Sequence, residues 1–264
     1  MRTCIVIGAK GFIGSAVARE AAGRGWDVLG VDLDSYAAAK GAEAELLVYA
    51  GGNARKYVDD RDPAEGFDLS VRGLQRVATD FRYGFFLHLS SGAVYPDEGR
   101  PEANGEETEL RPERMTRYGF HKWLAEQVTR HYAARRLIVR MGGFVGPGLK
   151  KNAVRDVLGG GELFVHPDSE FQFMDTRDLA RIALDLAAAG TAADALNLSG
   201  EGTVSVREVA AMAGRELRAE DYEKPKVRAE LNLEKARRLA ALPGSAESVR
   251  RFVEEVRAGK ARLG

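Results

Sequence analysis

Cysteine is nearly absent: Cys4 stands alone in 264 residues, which excludes an internal disulfide framework. It lies in the apolar run Cys4-Ile-Val-Ile7, where a small buried residue is the simplest reading and no redox role is expected. An excess of either charge is missing too. Thirty-nine Lys and Arg residues balance thirty-nine Asp and Glu, mostly interleaved, so no long-range field gathers nucleic acid or a membrane surface. No apolar run reaches a membrane-spanning length, and the first one meets glycine too soon for a signal peptide. A cytoplasmic protein with a small-molecule partner and no metal is therefore expected. Internal repeats and low-complexity tracts are also lacking.

What is present is a balanced chain, 45% hydrophobic, long enough for one large domain with a small appendage. Thr3 to Ile7 is a β-branched run ending at Gly8. Phe12 to Arg24 follows with Ile13, Val17 and Ala21 on one helical face, and Asp27 to Val31 reads as a second strand. Further strand patterns stand at Glu45 to Ala50, Gly84 to Leu89 and Arg136 to Arg140, separated by helical patterns at Pro63 to Asp80 and Glu113 to Ala134. The alternation predicts an α/β fold, a Rossmann doubly wound parallel sheet. Between Val31 and Leu46 there is room for only a short helix, so one edge strand is expected to be missing.

After Pro147 the texture changes. Strand patterns at Leu163 to His166 and Ala195 to Leu198, with helices near Thr176 to Ala188, Val204 to Ala213 and Ser245 to Arg257, suggest a small C-terminal α/β lobe. The expected division is 1–147 for a dinucleotide-binding domain and 148–264 mainly for a substrate lobe, with some segments returning to the first domain. Pro96 to Pro112, rich in Glu, Gly and Pro, reads as a long surface loop.

Gly8, Gly11 and Gly14 lie between a strand and a helix. Glycines there serve a tight turn in any protein, but in this context they also aim helix N-terminal N–H groups at a pyrophosphate. Asp32, eighteen residues beyond Gly14, ends the second strand, where a carboxylate accepts hydrogen bonds from an adenosine ribose and repels a 2′-phosphate. That favours NAD over NADP. Lys10, inside the turn, is a mild counter-signal.

Tyr118 and Lys122, four apart on a helical pattern, project from one face. The run Leu87-His-Leu-Ser-Ser-Gly-Ala-Val-Tyr95 ends in hydroxyls at the carboxyl edge of a strand, where open α/β sheets bind ligands. Such pairs also occur on ordinary helices, and serines also cap strand ends. Together, however, they can act as a unit: Lys122 favours the ionised Tyr118 phenol, Tyr118 moves a proton, and Ser91 holds the reacting oxygen.

In this order and spacing the residues resemble the extended short-chain dehydrogenase/reductase family, the NAD-dependent epimerase/dehydratase group acting largely on nucleotide sugars. Gly8-Ala-Lys-Gly-Phe-Ile-Gly14 looks like its GxxGxxG turn, Ser90-Ser-Gly-Ala-Val-Tyr95 like its serine strand end, and Tyr118-Gly-Phe-His-Lys122 like its YxxxK pair. Arg140 to Pro147, Phe173 to Ala180, and Asn197-Leu-Ser-Gly200 with the following Thr203 to Glu208 resemble later family segments. The resemblance implies Ser91, Tyr118 and Lys122 as catalytic residues. It implies contacts to NAD from Gly8, Gly11, Phe12, Ile13, Gly14, Asp32, Leu33, Ala50, Gly51 and Leu89, together with Tyr118 and Lys122. For substrate it points to Ser91, Gly92, Ala93 and Gly143, with His166 as a further candidate.

The chain also departs from the family. Ala50-Gly51-Gly52 stands where an Ala-Ala pair is usual, Ser70 near a usual Asn, and Gly143 where many members carry an Asn that touches substrate. Gly92 and Ala93 replace the Asp and Glu of the dehydratase branch, so loss of water is not expected. Epimerisation at C4 of a nucleotide-linked sugar is the first expectation, with NAD(P)H-dependent reduction of a keto-sugar or other small carbonyl compound as the alternative. A non-catalytic NAD sensor or scaffold is the third. The family's habit of pairing helices implies a homodimer, with Leu124 and Val128 available either for that face or for packing on the sheet. His121 is expected at the surface or an interface.

Overall fold

The computed structural model describes residues 2–217 and 223–264. The chain runs β1 (Thr3–Ile7), α1 (Phe12–Gly23), β2 (Asp27–Val31), α2 (Tyr36–Ala39), β3 (Glu43–Tyr49), α3 (Lys56–Arg61) and α4 (Pro63–Phe67). A π-helical turn (Asp68–Arg72) leads into α5 (Gly73–Asp80), then β4 (Arg82–Ser91), α6 (Arg117–Tyr132) and β5 (Arg136–Met141). The remaining elements are β6 (Gly143–Val145), α7 (Ala153–Gly159), β7 (Glu170–Phe171), β8 (Phe173–Asp175), α8 (Thr176–Ala188), β9 (Ala193–Leu198), β10 (Val204–Ser205), α9 (Val206–Met212), β11 (Arg228–Ala229), α10 (Glu234–Arg237) and α11 (Ser245–Arg257).

Six strands form the central sheet in the order β2-β1-β3-β4-β5-β9, and β1 pairs in parallel with both β2 and β3, as β4 does with β3 and β5. This is the expected α/β doubly wound architecture. β2 is the sheet edge, because the Asp32 to Ala42 connection holds only the four-residue α2. The alternation of side chains along each strand assigns the two faces. Ile5, Ile7, Leu47, Tyr49 and Phe86 pack with Leu74 and Val77 of α5 and Ala125 of α6. Cys4 and Val6 turn to the opposite face. There α1 buries Ala16, Val17 and Ala21, and its following residue Arg24 donates to the Asp185 carboxylate and the Arg181 carbonyl of α8. Cys4 is 1% exposed, and burial pushes its thiol up to about 12, so it is inert packing.

By contact the chain divides into two units: 1–96, 106–141 and 180–196 form one, and 97–105, 142–179 and 197–264 the other. The second contains a three-stranded sheet, β10-β7-β11, and the parallel pair β6-β8. Two expectations for this part need correction. Leu163 to His166 is not a strand; only the buried Leu163 anchors an irregular segment. Pro96 to Pro112 is not merely a surface loop, since Asn104 within it is fully buried. The Asn104 amide donates to the Asp97 and Glu230 carbonyls, its oxygen accepts from the Asn232 N–H, and its own carbonyl accepts from Asn197. A buried amide with all these partners acts as a staple rather than a penalty.

Among the described residues no helix is long and apolar enough to cross a membrane, and no group of three His, Cys, Asp or Glu side chains is arranged to hold a metal ion.

Candidate functional site

At the end of β1 the chain turns through Gly8, whose φ of +81° suits glycine and whose N–H donates to the Val31 carbonyl at 2.7 Å. A side chain there would lie 2.9 Å from the Ala50 carbonyl oxygen. At Gly14 a side chain would overlap the Gly8 carbonyl, so the first turn of α1 presses directly on the loop. Phe12 and Ile13 are half-buried in that turn. α1 starts at Gly11 with no side-chain cap and no acidic residue in its first turn. Its N-terminal N–H groups and the positive end of its dipole therefore fit a pyrophosphate.

Asp32 stands at the end of β2, and its two carboxylate oxygens accept from the Lys10 backbone N–H at 3.2 and 3.1 Å. The acid is thus held over the glycine turn. The Lys10 ammonium pairs with Asp34 at the surface. Leu33, the next residue, is 95% exposed. Ala50 donates its N–H to the Ile7 carbonyl, and Gly51 sits against the Tyr49 ring.

β4 carries the second half of the site. Phe86, His88 and Ser90 share one face, the one covered by α6: His88 Nδ1 meets the Thr129 hydroxyl at 2.9 Å, and the Ser90 hydroxyl donates to Glu126 at 2.8 Å. Ser90 is therefore a structural residue. Ser91 ends the strand, and its Oγ accepts from the Ala93 N–H at 3.2 Å, capping a short 3₁₀ turn at Gly92–Val94. Its own hydroxyl proton is still a donor. Leu89 is buried in the strand. α6, capped by Thr116, approaches this turn so closely that a side chain at Gly119 would overlap the Ala93 carbonyl oxygen. That contact delivers Tyr118 and Lys122 to the end of β4. Both are buried, at 9% and 7% exposure, and the Lys122 ammonium lies 5.5 Å from the Tyr118 ring centroid.

Glu126, one helical turn beyond Lys122, is fully buried and forms a two-point pair with Arg140, at 3.0 and 2.8 Å. Arg140 stands beside Ser90 in the β4–β5 register and also donates to the Tyr95 hydroxyl at 2.8 Å. Burial works against the Arg140 charge, but Glu126, with Tyr95, outweighs it and holds the guanidinium more firmly protonated than usual. Burial, then the charges of Lys122 and Arg130, push His88 well below the ordinary imidazole value, so its ring is neutral. These partners escaped the sequence reading. The signal was present in the spacing 118, 122, 126: a carboxylate on the same buried helical face as Tyr118 and Lys122 demands a buried cation.

His121 is not at the surface. It is 6% exposed, and its Nδ1 lies 2.6 Å from the fully buried Asp59 carboxylate on α3. Val128 packs on the sheet core rather than standing free for a partner. Gly143 and His166 belong to the second unit. At Gly143 a side chain would lie 2.7 Å from the Gln172 carbonyl oxygen, so the glycine lets β6 pack closely on the start of β8. His166 Nδ1 accepts from the Asp168 N–H at 3.1 Å in a local turn.

Residues 1–246 match the family described as RmlD substrate binding domain. The chain belongs to that family. It is thereby one of the extended short-chain dehydrogenases/reductases, and the resemblance of its motifs holds. No curated protein matches the chain by sequence. Solved structures share the fold over nearly the whole length. A dTDP-4-dehydrorhamnose reductase from Bacillus anthracis in complex with NADP is 15% identical over 96% of this chain and 98% of that one, with a TM-score of 0.78. MoeE5 in complex with UDP-glucose and NAD is 21% identical, covering 98% and 99%, with a TM-score of 0.78. A UDP-glucose 4-epimerase from Thermotoga maritima is 18% identical, covering 97% and 99%, with a TM-score of 0.77.

Proposed function

We propose that this member of the RmlD family is an NAD-dependent oxidoreductase that acts on a ketone or secondary hydroxyl of a nucleotide-linked sugar, with reduction of the ketone as its net reaction. The observation that carries the reading is the packing of Gly119 on the Ala93 carbonyl, which sets Tyr118 and Lys122 against the strand end that bears Ser91. Gly8, Gly11, Gly14 and Asp32 would hold the dinucleotide, with Leu33, Ala50, Gly51 and Leu89 around it. When bound, the nicotinamide supplies or accepts the hydride. Ser91 then donates a hydrogen bond to the substrate oxygen, and Tyr118 gives that oxygen its proton as the ketone becomes an alcohol. Lys122 stabilises the phenolate left behind until solvent returns the proton. Asp32 supports NAD over its 2′-phosphorylated form, because its carboxylate faces the turn while Lys10 is engaged with Asp34.

Similarity to solved dTDP-4-dehydrorhamnose reductases supports reduction ahead of the C4 epimerisation expected from the motifs alone. Epimerisation is kept as the second reading because Gly92 and Ala93 lack the acids of dehydrating relatives, and the same Ser, Tyr and Lys serve both directions of hydride movement. The test is a panel of nucleotide-linked sugars and keto-sugars, including dTDP-4-dehydrorhamnose and UDP-galactose, followed with NADH and NADPH. Consumption of NADH in step with product is expected. Interconversion of two sugars at constant NADH would replace reduction by epimerisation, a preference for NADPH would overturn the Asp32 argument, and no turnover of any member would favour an NAD sensor or scaffold. A dimer through the exposed part of α6, with a cytoplasmic location, completes the proposal.

A further inference from the structure

The segment between β3 and α5 is fastened to the helix that carries Tyr118. Asp59, fully buried on α3, accepts from the Asn53 side-chain amide and meets His121 Nδ1 of α6 at 2.6 Å. The edge of the Phe67 ring lies against His121, with 5.8 Å between centroids. Arg117, the first residue of α6, donates to the Asp60 carbonyl at 3.1 Å. Gly66 closes on Asp59 so tightly that a side chain there would sit 2.5 Å from its carboxylate. This clamp joins the six-residue α3 to α6. Its effect is to fix the start of α3, where the exposed Lys56 places its ammonium 5.9 Å from the Tyr118 ring centroid. Lys122 lies at 5.5 Å from the same ring.

We infer that Lys56 is a second cation acting on Tyr118, a positioning residue that the buried Asp59–His121 contact holds beside the phenol so that two ammonium groups favour its ionised form. The inference rests on the reading of Tyr118 as the proton-transfer group. Of the acids on the neighbouring elements, Asp59 is engaged with His121 and Asn53, Asp62 with the Glu65 N–H, Asp68 with Arg72, and Glu126 with Arg140 and Ser90, while Asp60 lies one turn beyond Lys56 on α3. Arg117 adds a further positive charge beside Tyr118 in sequence, committed to the Asp60 carbonyl. Cations from two separate elements, α6 and α3, thus face the Tyr118 ring.

The test needs no substrate. Tyrosinate absorbance is followed against pH in the full chain, with and without NAD, and the Tyr118→Phe variant is subtracted to isolate the one phenol. In Lys56→Met the midpoint is expected to rise by roughly 0.5–1 pH unit, the effect of removing one charge about 6 Å from the ring centre in a partly screened setting. Lys56→Arg restores it, and high salt shrinks the difference. A midpoint in Lys56→Met equal to that of the parent overturns the inference, whatever Lys122→Met does. A midpoint unmoved in Lys122→Met alone leaves Lys56 standing and instead sinks the Tyr118–Lys122 pair of the proposed function.

Discussion

The glycine turn and the Ser91–Tyr118 region lie at the same edge of one sheet but are built from opposite materials. The turn is made by backbone and by missing side chains: Gly8 and Gly14 let a strand, a loop and a helix touch, and the groups at the start of α1 are N–H bonds without a side-chain cap. The second region is made by buried charge. Ser90, Glu126, Arg140 and Tyr95 form a connected polar network under Ser91, and Asp59 and His121 form another beside Tyr118. A backbone-built site is intolerant of volume and indifferent to charge elsewhere. A charge-built site depends on every partner being present, since removing one strands the other in a low-dielectric interior.

Tyr118→Phe draws that line most sharply. It removes one hydroxyl from the charged region, and turnover on an accepted substrate should fall by roughly 10²–10⁴-fold, while NADH binding at the glycine turn, read by fluorescence titration, stays near the parent value. Unchanged turnover would remove Tyr118 from the chemistry. Glu126→Ala strikes the network itself: it leaves the Arg140 guanidinium, 2% exposed, without its carboxylate, for an expected loss of about 3–5 kcal/mol in denaturant unfolding. Replacing Glu126 and Arg140 together by Met should recover most of that loss, and a double variant as unstable as the single one would show that the pair is not the unit that matters.

Gly14→Ala probes the other region. A methyl group where the Gly8 carbonyl now sits must push the turn open, at about 1–3 kcal/mol, with a disproportionate loss of NADH affinity. Retained affinity would mean that the turn does not cradle the dinucleotide. The smallest effect is in pH dependence. His88 is neutral when folded, because burial and the charges of Lys122 and Arg130 depress its pKa, whereas the unfolded chain protonates an ordinary imidazole below about 6.5. The unfolded state therefore gains a proton first, and stability is lost as pH falls through that value. His88→Gln should flatten the fall between about pH 6.5 and 5 by at most about 1.4 kcal/mol per pH unit. Parallel stability curves for parent and variant would assign the acid sensitivity to other groups.

The same contrast explains what could be read before the fold was known. β1, α1 and β2 stand within one residue of the sequence expectation, as do α8 and α11, since their apolar periods and glycine punctuation are local properties. The short link after Asp32 also told, by length alone, that the sheet ends at β2. Leu163 to His166 has a strand's composition but no strand to pair with, and composition does not supply a neighbour. His121 falls between Tyr118 and Lys122 in sequence, yet its surroundings come from Asp59, sixty-two residues earlier. Asn104 looked like a loop residue because its four partners are spread from Asp97 to Asn232.

By itself, then, the sequence determined the α/β order of elements, the glycine turn with Asp32 beyond it, and the Ser91, Tyr118 and Lys122 set, because each depends on spacing along one strand or one helix. Only the tertiary structure decided which serine of the pair faces Glu126, that Arg140 is the partner of that carboxylate, and that Lys56 hangs beside Tyr118. Those outcomes depend on which distant surfaces meet once the core closes, and a buried charge is matched by whatever cation the packing of the sheet and helices brings to it.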